Sequence, residues 1–207
     1  MNTHEVTKPY DAAKAESFAG HFLNVLNYGS LCLMASIGHR TGLFDTMRDL
    51  SPATPTEIAH AAGLNERYVR EWLGAMVTAG VVEVEATSTD YHLPAEHAAY
   101  LTRVVAADNM AVFAQYIAVL GEVENDIVAC FTHGGGVPYE KFPRFHAVMA
   151  EDSGQSVLSS LESHILPLVP DVQARLTAGI RVLDVGCGSG RIVNKLSALY
   201  PNSHLRV

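Results

Sequence analysis

Cysteine is scarce: the 207-residue chain holds Cys32, Cys130 and Cys187, an odd number at wide spacing. That pattern excludes a disulfide framework and points to a reducing compartment, here the cytoplasm. Long apolar runs are missing as well. Leu31–Ile37 is far shorter than the ~20 residues a membrane span needs. The first nineteen residues are polar and include Glu5, Asp11 and Glu16, so no secretory signal is expected there. Positive charge is in short supply, with 14 Lys and Arg against 22 Asp and Glu and a net charge of -8. A surface of that sign repels phosphate backbones and disfavours general nucleic-acid binding. The 10 histidines are scattered without a His-Glu-x-x-His pair, so no metal site is expected. What remains is 48% hydrophobic and only 17% charged. That excludes a disordered acidic chain and suffices for a buried core.

The pattern predicts a mostly helical protein. Residues 1–15 read as a loose arm containing Pro9. From Glu16 to His39, Phe18, Phe22, Val25, Leu26 and Gly29 recur at three- and four-residue steps, and Leu33, Met34 and Ile37 continue the stripe. A helix so apolar is either central in its domain or shared with a partner subunit, and the second fits an N-terminal position better. Thr41–Leu50 predicts a short helix. Thr54-Pro55-Thr56-Glu57 starts the next one, with Thr54 as cap, Pro55 at the first helical position and Glu57 closing a capping box. Ile58, Ala59 and Ala62 face inward, and Gly63 ends the helix. Asn65 caps a helix in which Val69, Trp72, Leu73, Met76 and Val77 share one face, up to Gly80. Val81–Val84 and Tyr91–Leu93 read as strands. Helix, turn, helix and hairpin form the pattern of a winged helix-turn-helix.

Residues 101–131 predict one or two amphipathic helices, with Leu101, Val104, Val105, Phe113, Ile117, Leu120, Val123 and Ile127 inward. Gly134-Gly135-Gly136 predicts a loop. Helix resumes over 141–167, then over 171–178. The last 28 residues differ in kind. Ile180–Val185 is a short apolar run with the character of a buried strand. Gly186-Cys187-Gly188-Ser189-Gly190 follows, then a helix over 191–200 with Ile192, Val193, Leu196 and Leu199 inward, and a second strand from His204. A glycine turn between strand and helix lets a ligand approach the backbone and its free N–H groups. The dinucleotide spacing Gly-x-Gly-x-x-Gly fails, because Arg191 takes the third glycine's place, and a P-loop lysine is missing, which makes NAD the weaker choice.

Val182-Leu183-Asp184-Val185-Gly186-Cys187-Gly188-Ser189-Gly190-Arg191 resembles the first motif of class I methyltransferases that use S-adenosylmethionine. The resemblance implies that Asp184, Gly186, Cys187, Gly188 and Gly190 bind that cofactor, with Asp184 toward its ammonium group. The upstream layout, with Gly134–Tyr139, Phe142-Pro143-Arg144-Phe145-His146 and Met149–Gly154, is similar to a bacterial, mycobacterial-type subgroup with a winged-helix N-terminal domain. It implies that Tyr139, Phe142, Phe145, His146 and Met149 shape the pocket of a small-molecule methyl acceptor. Their alternative is an ordinary role in the core of a linker helix. His146 is a candidate base, because histidine is the side chain that ordinarily exchanges a proton near neutral pH, and no catalytic residue is otherwise assigned.

The resulting layout is a helical and winged-helix dimerisation domain over 1–100, a helical linker and substrate cap over 101–178, and the start of a Rossmann-like α/β domain over 179–207. Homodimerisation through the N-terminal helices is expected. Class I domains have a seven-stranded sheet, with a ribose-binding acid after the second strand. Two strands do not stand alone, so the sequence is expected to be a truncated form or fragment, with little methyl-transfer activity by itself. The rival is a winged-helix transcriptional regulator that reads DNA through Arg67 and Arg70. Against it, residues 39–104 carry five arginines and nine carboxylates, whereas a DNA reader presents a basic face.

Overall fold

The computed structural model describes residues 10–104 and 109–207. Residues 1–9 of the arm expected over 1–15, and the inward place given to Val105, lie outside the described residues. Helix α1 (Ala12–Thr41) begins earlier than its apolar stripe suggested, because Asp11 is an N-cap whose carboxylate accepts from the Lys14 N–H at 3.0 Å. The part of the arm from Ala12 onward is therefore helical. The first half of α1 is open to solvent, and Phe18, Phe22, Leu23 and Leu26 are all exposed. Its last turns are packed: Ser36, Gly38 and His39 are buried.

Helices α2 (Leu43–Asp49), α3 (Pro55–Ala62) and α4 (Glu66–Thr78) follow. The capping box of α3 is fully formed, with Thr54 N–H donating to Glu57 Oε2 at 2.9 Å and Glu57 N–H to Thr54 Oγ1 at 3.4 Å. Strands β1 (Glu83–Val84) and β2 (Tyr91–His92) pair antiparallel, Glu83 opposite His92, and Ala53 bridges to Tyr91. The hairpin is shorter than predicted. Val81 and Val82 turn back so that both N–H groups donate to Met76 O, which buries Val82 beneath α4. One core joins these elements through Phe44, Ile58, Val69, Trp72, Leu73 and Met76.

The stretch 101–131 holds two helices, within the one or two expected, α6 (Ala111–Gly121) and α7 (Glu124–His133), and an additional helix, α5 (Ala95–Leu101), precedes them. Pro94, at the N-cap of α5, was the sequence signal for the extra start. Helix α6 is apolar on two faces. The face that packs carries Val112, Gln115 and Val119, while Phe113, Ile117 and Leu120 are exposed, the reverse of the predicted choice. Helix α8 (Phe145–Ser153) continues through wide π-type turns at Gly154–Leu158 and Leu161–Ile165. Helix α9 (Val172–Ala178) leads to strand β3 (Arg181–Leu183), helix α10 (Arg191–Leu199) and strand β4 (His204–Arg206). Strands β3 and β4 are parallel, with Val182 opposite Leu205. Around them a second core forms from Leu161, Leu176 and Leu196 with Ile180, Val182 and Leu205.

The buried strand expected at Ile180–Val185 is not observed. Leu183 is 67% exposed and Val185 86%. One face of the two-stranded sheet packs on helices, and among the described residues nothing covers the other. Leu199 is exposed for a related reason: α10 packs through Leu196, with Ile192 and Val193 half-buried.

Candidate functional site

Past the end of β3 the Asp184 N–H donates to Arg206 O at 2.9 Å, holding the chain against β4 as it leaves the sheet. The turn that follows has Gly186, Gly188 and Gly190 at φ of 79°, 55° and 72°. A Cβ at any of the three would meet nothing within 4 Å. Glycine is thus required here by backbone conformation, not by crowding. The bare turn leaves its backbone open on both sides. It is closed by Gly190 N–H donating to Cys187 O at 2.9 Å. Helix α10 starts at once, with no side-chain cap on its first turn, so N–H groups there face outward without helical partners.

A cleft of about 290 Å³ opens between this turn and α8. Asp184, Gly186, Cys187, Gly188, Ser189, Arg191 and Ile192 form one wall. His146, Met149, Ala150, Ser153, Gly154 and Leu158 form the other. A second hollow, about 450 Å³, lies on the far side of the turn against Gly190, Asn194 and Arg206. Of the five acceptor-side candidates, His146 and Met149 line the cleft. Tyr139, Phe142 and Phe145 form an aromatic cluster beside it. Tyr139 lies 6.0 Å from the His146 ring and 5.8 Å from Phe145, and Phe142 is 5.8 Å from Phe145. Tyr139 remains 66% exposed. Ala150, Ser153, Gly154, Leu158, Ser189, Arg191 and Ile192 also line the cleft and are not among the site residues expected from sequence. A glycine in the middle of a helical pattern, Gly154, was the one available signal.

A polar network that the sequence did not reveal ties α8 to the winged helix. His39, 1% exposed, meets Glu151 Oε1 through Nε2 at 2.8 Å. Gln115 Nε2 donates to Glu151 Oε2 at 2.9 Å, and Arg144 Nη2 donates to Gln115 Oε1 at 2.9 Å. Arg103 joins them, donating to His39 O at 2.6 Å and pairing with Asp45. Burial by itself raises the Glu151 pKa, but the Gln115 hydrogen bond, His39 and Arg103 outweigh it and hold the carboxyl below its ordinary value. A depressed carboxyl pKa contributes stability above the unfolded value, near pH 4, and loses it as pH falls through the folded value. Glu151→Gln is therefore expected to lower Tm at pH 7 and to flatten its decline between about pH 5 and pH 3. A Tm–pH profile parallel to that of the wild type contradicts this. Nearby, burial and then the Asp152 hydrogen bond, 2.9 Å long, push the Tyr116 phenol up to about 12.

This winged helix followed by a glycine turn has counterparts among known proteins. Residues 29–103 match the Rv2258c-like winged HTH domain. No curated protein matches the sequence. Among solved structures, the mitomycin 7-O-methyltransferase MmcR is similar over 94% of this chain and 59% of its own, with 18% identity and TM-score 0.58. Human N-acetylserotonin methyltransferase, solved in complex with S-adenosylmethionine, is similar over 97% of this chain and 60% of its own, with 16% identity and TM-score 0.54. The Streptomyces davawensis dimethyltransferase RosA is similar over 95% of this chain and 58% of its own, with 19% identity and TM-score 0.51. The chain thus has a winged-helix domain and the fold of the methyltransferases it superposes on. It spans about three fifths of their length.

Proposed function

We propose that the chain supplies the winged helix, the cap and the cofactor turn of an S-adenosylmethionine-dependent methyltransferase acting on a small molecule. The observation that carries this reading is the cleft itself: a bare glycine turn and a carboxylate facing a helix that bears His146 and Met149. The residues fit the cofactor. Asp184 supplies the negative charge its ammonium group needs. The backbone of Gly186–Gly190, including Cys187, would hold its amino-acid and ribose portions. Bound S-adenosylmethionine supplies an electrophilic methyl group on a sulfonium. The protein's part is then alignment, which by itself provides a large share of such rate enhancements. His146 would take a proton from a hydroxyl acceptor, and the aromatic cluster of Tyr139, Phe142 and Phe145 offers a planar acceptor a surface next to it.

Saturation-transfer NMR, which registers millimolar binding, is expected to show S-adenosylhomocysteine contacting the chain and NADH not contacting it. NADH contact without S-adenosylhomocysteine contact overturns the assignment.

Two further parts of the reading rest on the winged helix. Three of its five arginines are engaged, Arg70 with Glu66 along α4, Arg48 with Asp49 and Arg103 with Asp45, and nine carboxylates surround the five. That favours a structural role over DNA reading, and no salt-sensitive mobility shift with duplex DNA is expected. The exposed apolar half of α1, continued on α6 by Phe113, Ile117 and Leu120, suits a second copy of the chain. Sedimentation is expected to give a dimer that Phe22→Glu with Leu26→Glu converts to a monomer; a wild-type monomer contradicts this. Among the described residues no helix is long and apolar enough to cross a membrane.

A further inference from the structure

Arg191 is the first residue of α10, directly after the glycine turn, and its side chain crosses the cleft. Its Nη1 donates to Ala150 O near the end of α8 at 2.6 Å. The guanidinium lies over Gly154, where a Cβ would stand 2.6 Å from Nη1 and 3.2 Å from the guanidinium carbon. One turn along α10, Lys195 Nζ donates to Leu158 O at 3.3 Å and pairs with Glu162 at 2.9 Å. Two cations four residues apart share one face of α10. Their carbonyl partners flank the π-type turn at Gly154–Leu158, Ala150 one turn before it and Leu158 at its end. Such turns disturb the regular carbonyl pairing of a helix and recur at functional sites. Hydrogen bonds from a charged donor are about twice as strong as neutral ones.

We propose that Arg191 is a positioning residue for the methyl transfer proposed above, an inference that rests on that reading of the cleft. It fixes the His146–Gly154 wall at a set distance from the glycine turn, and so sets the gap in which cofactor and acceptor align. Gly154 is the matching half of the device: it leaves the guanidinium room to lie across the helix, and an added Cβ would push the end of the Arg191 side chain away from the Ala150 carbonyl. The backbone of Gly154 is ordinary right-handed helix, φ -63° and ψ -42°. By helix propensity alone, Gly154→Ala would therefore firm up this stretch. The close approach of Arg191 predicts the opposite sign. Lys195 acts in support, but it holds a carbonyl farther from the turn.

The test uses the full chain and two measurements. Hydrogen exchange without ligand is expected to quicken about tenfold over residues 146–158 in Arg191→Ala and in Gly154→Ala, and less in Arg191→Lys. Exchange of the α4 core amides stays at the wild-type rate. In NMR titration, S-adenosylhomocysteine binding weakens about tenfold in Arg191→Ala and Gly154→Ala, and Arg191→Lys recovers part of it. Wild-type exchange over 146–158 in Arg191→Ala, or equal quickening in α4, overturns the proposal. So does S-adenosylhomocysteine binding as tight in Arg191→Ala as in the wild type, which leaves the cofactor reading standing. A wild-type chain that ignores S-adenosylhomocysteine sinks the cofactor reading itself and the positioning role with it.

Discussion

Gly188→Val is expected to weaken S-adenosylhomocysteine binding about a hundredfold while leaving the fold intact. Gly188 has φ of 55°, a region that a β-branched residue enters only with strain of about 1–3 kcal/mol. Relief comes from rotating the adjacent peptides, which turns their N–H groups away from the cleft and moves the backbone out of the ligand's path. The loss of binding does not come from crowding, since a Cβ at this position meets nothing within 4 Å. Thermal stability should therefore fall by no more than this backbone strain. Asp184→Asn separates charge from shape: it keeps the turn, removes the ammonium's partner and should cost about tenfold. The two variants are checked by the same NMR titration. Wild-type binding in Gly188→Val means that the turn holds no ligand.

Gly38→Ala is expected to destabilise the winged-helix core by about 2 kcal/mol. Near its end α1 runs so close to α4 that an added Cβ would stand 2.5 Å from Trp72 Cζ2 and 2.9 Å from Phe44 Cε2. Neither ring can swing aside. Trp72 Nε1 donates to Met34 O at 2.9 Å, Phe44 is fully buried, and the two rings are already packed edge to face at 5.3 Å. In an open helix the same substitution would stabilise, so a net loss isolates the contact. Urea denaturation measures it; an unchanged or raised midpoint contradicts the packing.

The contrast between these two glycines shows what the sequence could reveal. Local signals were legible because they are short-range chemistry. Thr54 with Glu57 announced a capped helix start, the α4 stripe announced the face on which Val69, Trp72, Leu73 and Met76 are buried, and the Gly186–Gly190 spacing announced a strand-to-helix turn open to a ligand. Partner choice between distant elements was not legible. Gly38 reads as an ordinary helix residue until Trp72 is placed beside it. Helix α6 is apolar on two faces, and periodicity could not tell that Val112 and Val119 would pack while Ile117 stayed exposed. The His39–Glu151 contact joins residues 112 positions apart, and nothing in the pattern links them. Ile180–Val185 has the pattern of a strand covered on both faces, because its residues are apolar on both, whereas β3 packs on one. His146 and Met149 reached the cleft, but the width of that cleft depends on Arg191 and Gly154, whose meeting is a tertiary event.

The most direct test of the cofactor assignment is a backbone amide NMR titration of the chain with S-adenosylhomocysteine. The expected result is a set of shifts centred on Gly186–Arg191, extending to Asp184 and to the His146–Gly154 wall, with the winged-helix amides still. Shifts that leave Gly186–Gly190 untouched, or the same shifts produced by NADH and not by S-adenosylhomocysteine, would contradict it.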